Sequence, residues 1–158
     1  MPNGKTHALM TVGGAAVLAG GLWLAGLPVE QAALYGGGTL AGLVLTPDLD
    51  VDGGCFAFYA VRWALGKPAA WVWRVFWWPY AKLVPHRSWA SHSLAGTFIR
   101  LAYLCLPVRL ALWAHGEPFW PPVVWWWLLS GLLWSDTLHI LADMIVTSWK
   151  RRRGAMHV

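Results

Sequence analysis

Four apolar stretches of this chain each carry metal-ligating side chains at one end: His7, the run Asp48-Leu49-Asp50-Val51-Asp52, the pair His86 and His92, and His139 with Asp143. Ionisable groups beside lipid are costly and are retained for function, so this pattern points to a membrane-embedded metal site. It also constrains the fold, because the segments bearing the ligands must be helices whose ends meet.

Only 12% of the 158 residues are charged while 58% are hydrophobic, and 14 are Trp, which is too apolar for an ordinary soluble domain. The expected fold is all-α: an integral membrane four-helix bundle forming a single domain over residues 1–158. Hydropathy places the spans at about 7–27, 31–46, 89–106 and 123–147, with short interfacial helices in an insert at about 55–84. The second span is short for a bilayer. Gly13, Gly14, Gly20 and Gly21 in the first span are expected to face Gly36, Gly37, Gly38 and Gly42 in the second, packing the two as a tight hairpin through Leu27-Pro28. A cleaved signal peptide fits poorly, since the apolar run is long and another follows at once.

The formal net charge is +5, but the basic residues are scattered through apolar segments or gathered in the tail Lys150-Arg151-Arg152-Arg153. That distribution argues against nucleic acid and for contact with anionic lipid. Arg62, Lys67, Arg74, Lys82 and Arg87 lie between the second and third spans, while the other connections are poor in Lys and Arg. The positive-inside rule therefore puts both termini and the central connection in the cytoplasm. All the ligand-bearing ends then fall on that side.

His139 and Asp143 are spaced i, i+4 and share a helix face. Three acidic groups at alternating positions, Asp48, Asp50 and Asp52, repel one another unless a cation or several donors neutralise them. The run is no EF-hand, because the downstream Glu is missing. Ser88 is the expected N-cap of the third helix, and Asp136, one turn before His139, is the expected partner fixing its tautomer. Cys55 and Cys105 form no C-x-x-C pair, and Cys55 reads as an inert buried thiol. Imidazole and carboxylate together favour zinc, manganese or iron over calcium, and the number of ligands suits two ions sharing a bridging carboxylate.

The order His7, Pro47-Asp48-Leu49-Asp50, His86-Arg87-Ser88, Ser91-His92-Ser93 and His139-x-x-x-Asp143 resembles bacterial membrane-bound metal-dependent hydrolases. These include the LexA-regulated inner-membrane (YdjM-like) proteins and a sister family of metal-binding proteins whose members carry a similar Trp-rich insert ending in Pro-His-Arg-Ser. The resemblance covers nearly the whole chain. It implies a multi-pass protein of the bacterial inner membrane with His7, Asp48, Asp50, His86, His92, His139 and Asp143 as metal ligands. A fainter likeness to zinc-dependent phospholipases C, which also use a helical His-x-x-x-Asp, implies hydrolysis.

The expected activity is metal-dependent hydrolysis of a phosphate ester, such as a lipid headgroup, with membrane lipids as partners. Arg87 would stabilise charge on the phosphoryl oxygens, and Asp52 or Asp136 would act as general base. Arg62, Arg74 or Arg87 would clamp a lipid phosphate, while Trp63, Trp71, Trp73, Trp77 and Trp78 anchor the insert, which Pro68 and Pro79 break into short pieces. The alternative is a non-catalytic metalloprotein, structural or sensing. Metal transport is weaker, since the outward halves of the helices offer no evident ligand.

Overall fold

A computed structural model of the chain describes residues 4–51, 54–86, 88–117 and 123–155. Among these the elements are helical: α1 (Gly4–Leu24), α2 (Val29–Ala41), a 3-10 turn (Pro47–Asp50), α3 (Phe56–Leu83), α4 (Leu94–Ala114) and α5 (Val123–Ala155). Three stretches, Thr6–Leu24, Leu94–Ala114 and Val123–Trp149, are long and apolar enough to cross a membrane. With 13 residues, α2 is shorter than such a span.

Glycine ends two of the helices. At α1, the Leu27 amide donates to the Leu22 carbonyl and the Gly26 amide to that of Trp23, a Schellman closure that requires Gly26 at φ 96°. The same pattern closes α4 at Gly116, φ 88°. Pro28 then caps α2, so α1 and α2 form the expected hairpin.

The glycines work differently from expectation. The most intimate approach joins α2 to α5: a side chain at Gly38 would strike the Leu128 backbone, one at Gly42 would strike Ser135, and one at Gly131 would strike the Tyr35 carbonyl. Gly14 faces Leu138 of α5, and only Gly36 faces α1, against Ala19. Gly13, Gly20 and Gly21 have open space around them. Small residues thus let the backbone of α2 sit against α5, where Ala32, Gly36, Gly38 and Thr39 are buried. A Thr11–Ser135 hydroxyl contact of 3.4 Å ties α1 to α5 as well.

The insert forms one long helical run with a single break. Gly66, at φ 84° and ψ 176°, interrupts α3 just before Lys67 and Pro68, whereas Pro79 lies inside the second half without ending it. Only glycine adopts that φ cheaply, which places the break there. The helix is also more than an interfacial strip. Trp77 and Tyr80 are buried with Leu49, Cys55, Ala57 and Val84, and Trp77 packs on Tyr103 of α4 with ring centroids 5.4 Å apart. The Tyr103 hydroxyl donates to the Phe76 carbonyl at 2.6 Å. Trp63, Trp71 and Trp78 do point outward.

α4 starts five residues later than the expected span, at Leu94. Its N-cap is Ser93, whose hydroxyl accepts from the Gly96 amide at 3.2 Å. Ser88 instead serves the preceding turn, its carbonyl accepting from the amides of Ser91 and His92. α5 runs on past the expected end at 147, to Ala155.

Candidate metal centre

The site lies where the start of α1, the 3-10 turn, the turn at residues 88–93 and the second half of α5 converge. Thr46 and Pro47 set the acidic turn: the Thr46 hydroxyl accepts from the Asp48 amide at 3.3 Å, and Pro47 takes the first position, where a missing amide proton costs nothing. This aims Asp48 at α5 and buries Asp50.

Two overlapping sets of ligand atoms result, His7 with His139 and Asp143, and Asp48 with His92 and His139, each set lying within 4.8 Å. His7 Nε2 is 3.4 Å from Asp143 Oδ1. Asp143 Oδ2 faces the other way, 3.8 Å from His139 Nε2 and 4.0 Å from His92 Nε2. Asp48 Oδ1 lies 3.5 Å from His92 Nε2 and 3.7 Å from His139 Nε2. Donors about 2.0–2.1 Å from a tetrahedral ion stand about 3.3 Å from one another, so the spacing suits a shared cation better than direct hydrogen bonds.

The imidazoles are held with ligating nitrogens inward. His139 Nδ1 faces the Thr46 hydroxyl at 3.5 Å, and His92 Nδ1 meets the Ser91 hydroxyl at 3.0 Å. His92 Nε2 and His139 Nε2 are left buried with no hydrogen-bond partner among the described residues. Buried polar atoms are rarely left so, and a cation would satisfy both. Beside them a cavity of about 20 Å³, lined by His7, Thr11, Thr46, Asp48 and His139 among others, has room for one small species. The donor set and the orphaned nitrogens therefore fit a divalent transition metal.

Burial opposes ionisation of Asp48, but the imidazoles of His139 and His92 outweigh it and hold its carboxyl well below the usual carboxylate range. Charge is thus available for a cation. Burial pushes the Cys55 thiol up, and its side chain joins the core with Trp77 and Tyr80 and belongs to neither ligand set.

Five of the seven sequence-expected ligands, His7, Asp48, His92, His139 and Asp143, belong to these sets. The other two form a pair at the edge: His86 Nδ1 lies 2.8 Å from Asp50 Oδ1, and Asp50 Oδ2 lies 3.7 Å from His92 Nδ1. Asp52 and Arg87 lie outside the described residues. Asp136 is engaged elsewhere than expected. Its Oδ2 accepts from the Thr97 hydroxyl at 2.5 Å and from Arg100, and it is Thr46 that faces His139 Nδ1.

Arg100 itself went unnoticed in the sequence. The available signal was an arginine amid the apolar residues of the third span, where a charge requires a partner. No curated protein and no solved structure matches this chain. The model of one family does match, over residues 2–119, a stretch holding every candidate ligand except the two on α5. The chain belongs to that family, the uncharacterized metal-binding proteins DUF2227.

Proposed function

We propose that this metal-binding protein is a membrane-embedded, metal-dependent phosphoesterase that acts on a phosphate ester such as a lipid headgroup. Metal binding follows from the family, and hydrolysis is our reading of the site. The observation that carries it is the placement of Asp143, whose two oxygens face different imidazoles, His7 on one side and His92 with His139 on the other. A carboxylate so placed suits a bridge between two cations, and paired cations suit phosphoryl transfer.

His7, Asp48, His92, His139 and Asp143 would hold the ions, with Asp50 and His86 completing the shell on the His92 side. Zinc is the best fit to the donors, and manganese or iron would also be accepted. When bound, such ions supply Lewis acidity toward a phosphoryl oxygen and lower the pKa of a water to about 7. The chain's own part is orientation and charge. The Thr46 and Ser91 hydroxyls fix the two imidazoles, and Asp48 stays ionised to offset cationic charge. Arg87, next to His86 in sequence, would pair with the phosphoryl oxygens, and Asp52 would accept the proton.

A lipid substrate is favoured by surroundings as apolar as the helices that bear the site. A groove of about 800 Å³ runs between α4 and α5 from Thr97 and Leu133 to Leu112 and Trp125, and at its Thr97 end the Thr97 hydroxyl bonds Asp136, one turn before His139 in sequence. This would take acyl chain while the headgroup meets the ions. The partners are then membrane lipids of the bacterial inner membrane, with both termini cytoplasmic.

A second reading has an observation of its own: the ligands come from four separate segments of chain, and His139 is only 7% exposed. Metal there would tie those segments together without turnover. Detergent-purified protein reconstituted with zinc or manganese and assayed against phospholipids and soluble phosphate esters separates the two. Release of phosphate or headgroup that is lost on chelation supports the phosphoesterase. A fully metallated protein that turns over none of them, and whose chelation lowers only its melting temperature, leaves the structural role.

A further inference from the structure

Arg100 and Asp136 form a buried ion pair between α4 and α5, with the two residues 4% and 1% exposed. Its location near the metal centre is informative. Arg100 uses one arm of its guanidinium, Nη2, on Asp136 Oδ2 and the other, Nη1, on the backbone carbonyl of Ser91 at 2.9 Å. Ser91 directly precedes His92, and its hydroxyl meets His92 Nδ1. Asp136 directly precedes, by one helical turn, His139. One side chain therefore links the turn carrying one ligand to the helix carrying another.

The local sequence serves this contact. A side chain at Gly96 would collide with the carbonyls of Ala90 and Ser91, at 2.8 and 2.7 Å, so glycine there lets the turn settle on the first turn of α4. The Ser91 hydroxyl lies 3.3 Å from the Pro85 carbonyl and 3.2 Å from that of Ser88, which closes the turn on itself. Thr97 donates to the same Asp136 oxygen that Arg100 holds. The planar fork of arginine reaches a carbonyl and a carboxylate at once, which a lysine ammonium cannot do with the same geometry.

We infer that Arg100 is a positioning residue of the metal centre: by bridging the Ser91 carbonyl and the Asp136 carboxylate it sets where His92 stands relative to His139. This rests on the metal-binding reading of those two histidines. A simple structural strut would only hold α4 on α5. A positioning residue also changes the ligand field.

The test titrates detergent-purified, chelator-stripped protein with Co²⁺, reading affinity and the visible absorption spectrum together with the melting temperature of the metal-free protein. Arg100→Lys keeps the charge, and the double variant Arg100→Met with Asp136→Leu removes both charges at similar volume. Both are expected to bind Co²⁺ about 10- to 100-fold more weakly, the scale for lost support behind a ligand, and with a shifted spectrum. Wild-type affinity and spectrum in either folded variant would overturn the inference. If the double variant does not fold, Arg100→Lys decides by the same reading. Failure of the wild-type protein to bind Co²⁺ would instead remove the centre itself.

Discussion

His7 and His139 stack ring on ring, with centroids 3.8 Å apart and planes inclined by 10°. One residue opens α1 and the other lies well along α5, so the contact fixes the register of the first helix against the last. Both residues belong to the candidate metal centre, so the same contact brings two ligands together.

Stoichiometry should reveal how the sets overlap. Asp143 turns one oxygen to His7 and the other to His92 and His139, while His7 belongs to one ligand set alone. Wild-type protein is expected to hold about two ions per chain. His7→Ala should lose one, and Asp143→Ala should fall below one, as read by plasma mass spectrometry. Equal loss in both variants would argue against the overlap.

Acid should release the metal. Ligating histidines must be deprotonated, so protons compete with the metal and its affinity falls as pH is lowered. Asp48, held well below the usual carboxylate range, stays charged and does not add to that loss. Equilibrium dialysis at steps from pH 7.5 to 4.5 should show the metal dissociation constant rising steadily. An affinity independent of pH over that range would mean that the histidines are not the ligands.

Glycine substitutions should separate contact from mere composition. Gly38→Ala and Gly131→Ala push a methyl into backbone of the facing helix and should cost about 1–3 kcal/mol each. Gly13→Ala and Gly20→Ala meet open space and should be neutral or slightly stabilising. Melting temperatures in detergent check both, and similar losses at all four would remove the assigned α2–α5 contact.

The α3 aromatics should divide in the same way. Trp77 is 3% exposed and packs on Tyr80 and Tyr103, so Trp77→Ala should cost about 3–5 kcal/mol. Trp63 is 92% exposed, and Trp63→Ala should leave folding within about 0.5 kcal/mol. Chemical denaturation in mild detergent distinguishes them.

Topology can be checked at the termini. The start of α1, the 3-10 turn and the second half of α5 meet at one site, so a chain that leaves along α1 must return through α2 and residues 42–46. If α1 crosses the bilayer, that return path crosses too. Its non-helical part is tolerable at depth because the amides of Gly42, Leu43, Val44 and Leu45 donate to carbonyls three or four residues back. Reporter fusions at residues 1 and 158 should both be active on the cytoplasmic side. Opposite sides would rule out the return.

The helical segments and the His and Asp residues that cluster at their common end were legible in the sequence because each leaves a local mark. Long apolar runs announce spans, the i, i+4 spacing puts His139 and Asp143 on one face, and Asp48 to Asp52 cannot crowd together without compensation. What only tertiary structure decided was which faces meet. The glycines of the first two spans offered many close pairings, and the one adopted sets α2 on α5 because the Leu128 and Tyr35 backbones come opposite Gly38 and Gly131. The Trp-rich insert likewise carries too many aromatics for periodicity to tell the buried Trp77 from the outward Trp63. The partner of Arg100 was hidden for a similar reason: an arginine in an apolar helix demands a counter-charge, but sequence does not say that it is Asp136 on α5. Local patterns fix secondary structure and chemistry, while the docking of one helix on another depends on distant side chains that no short window contains.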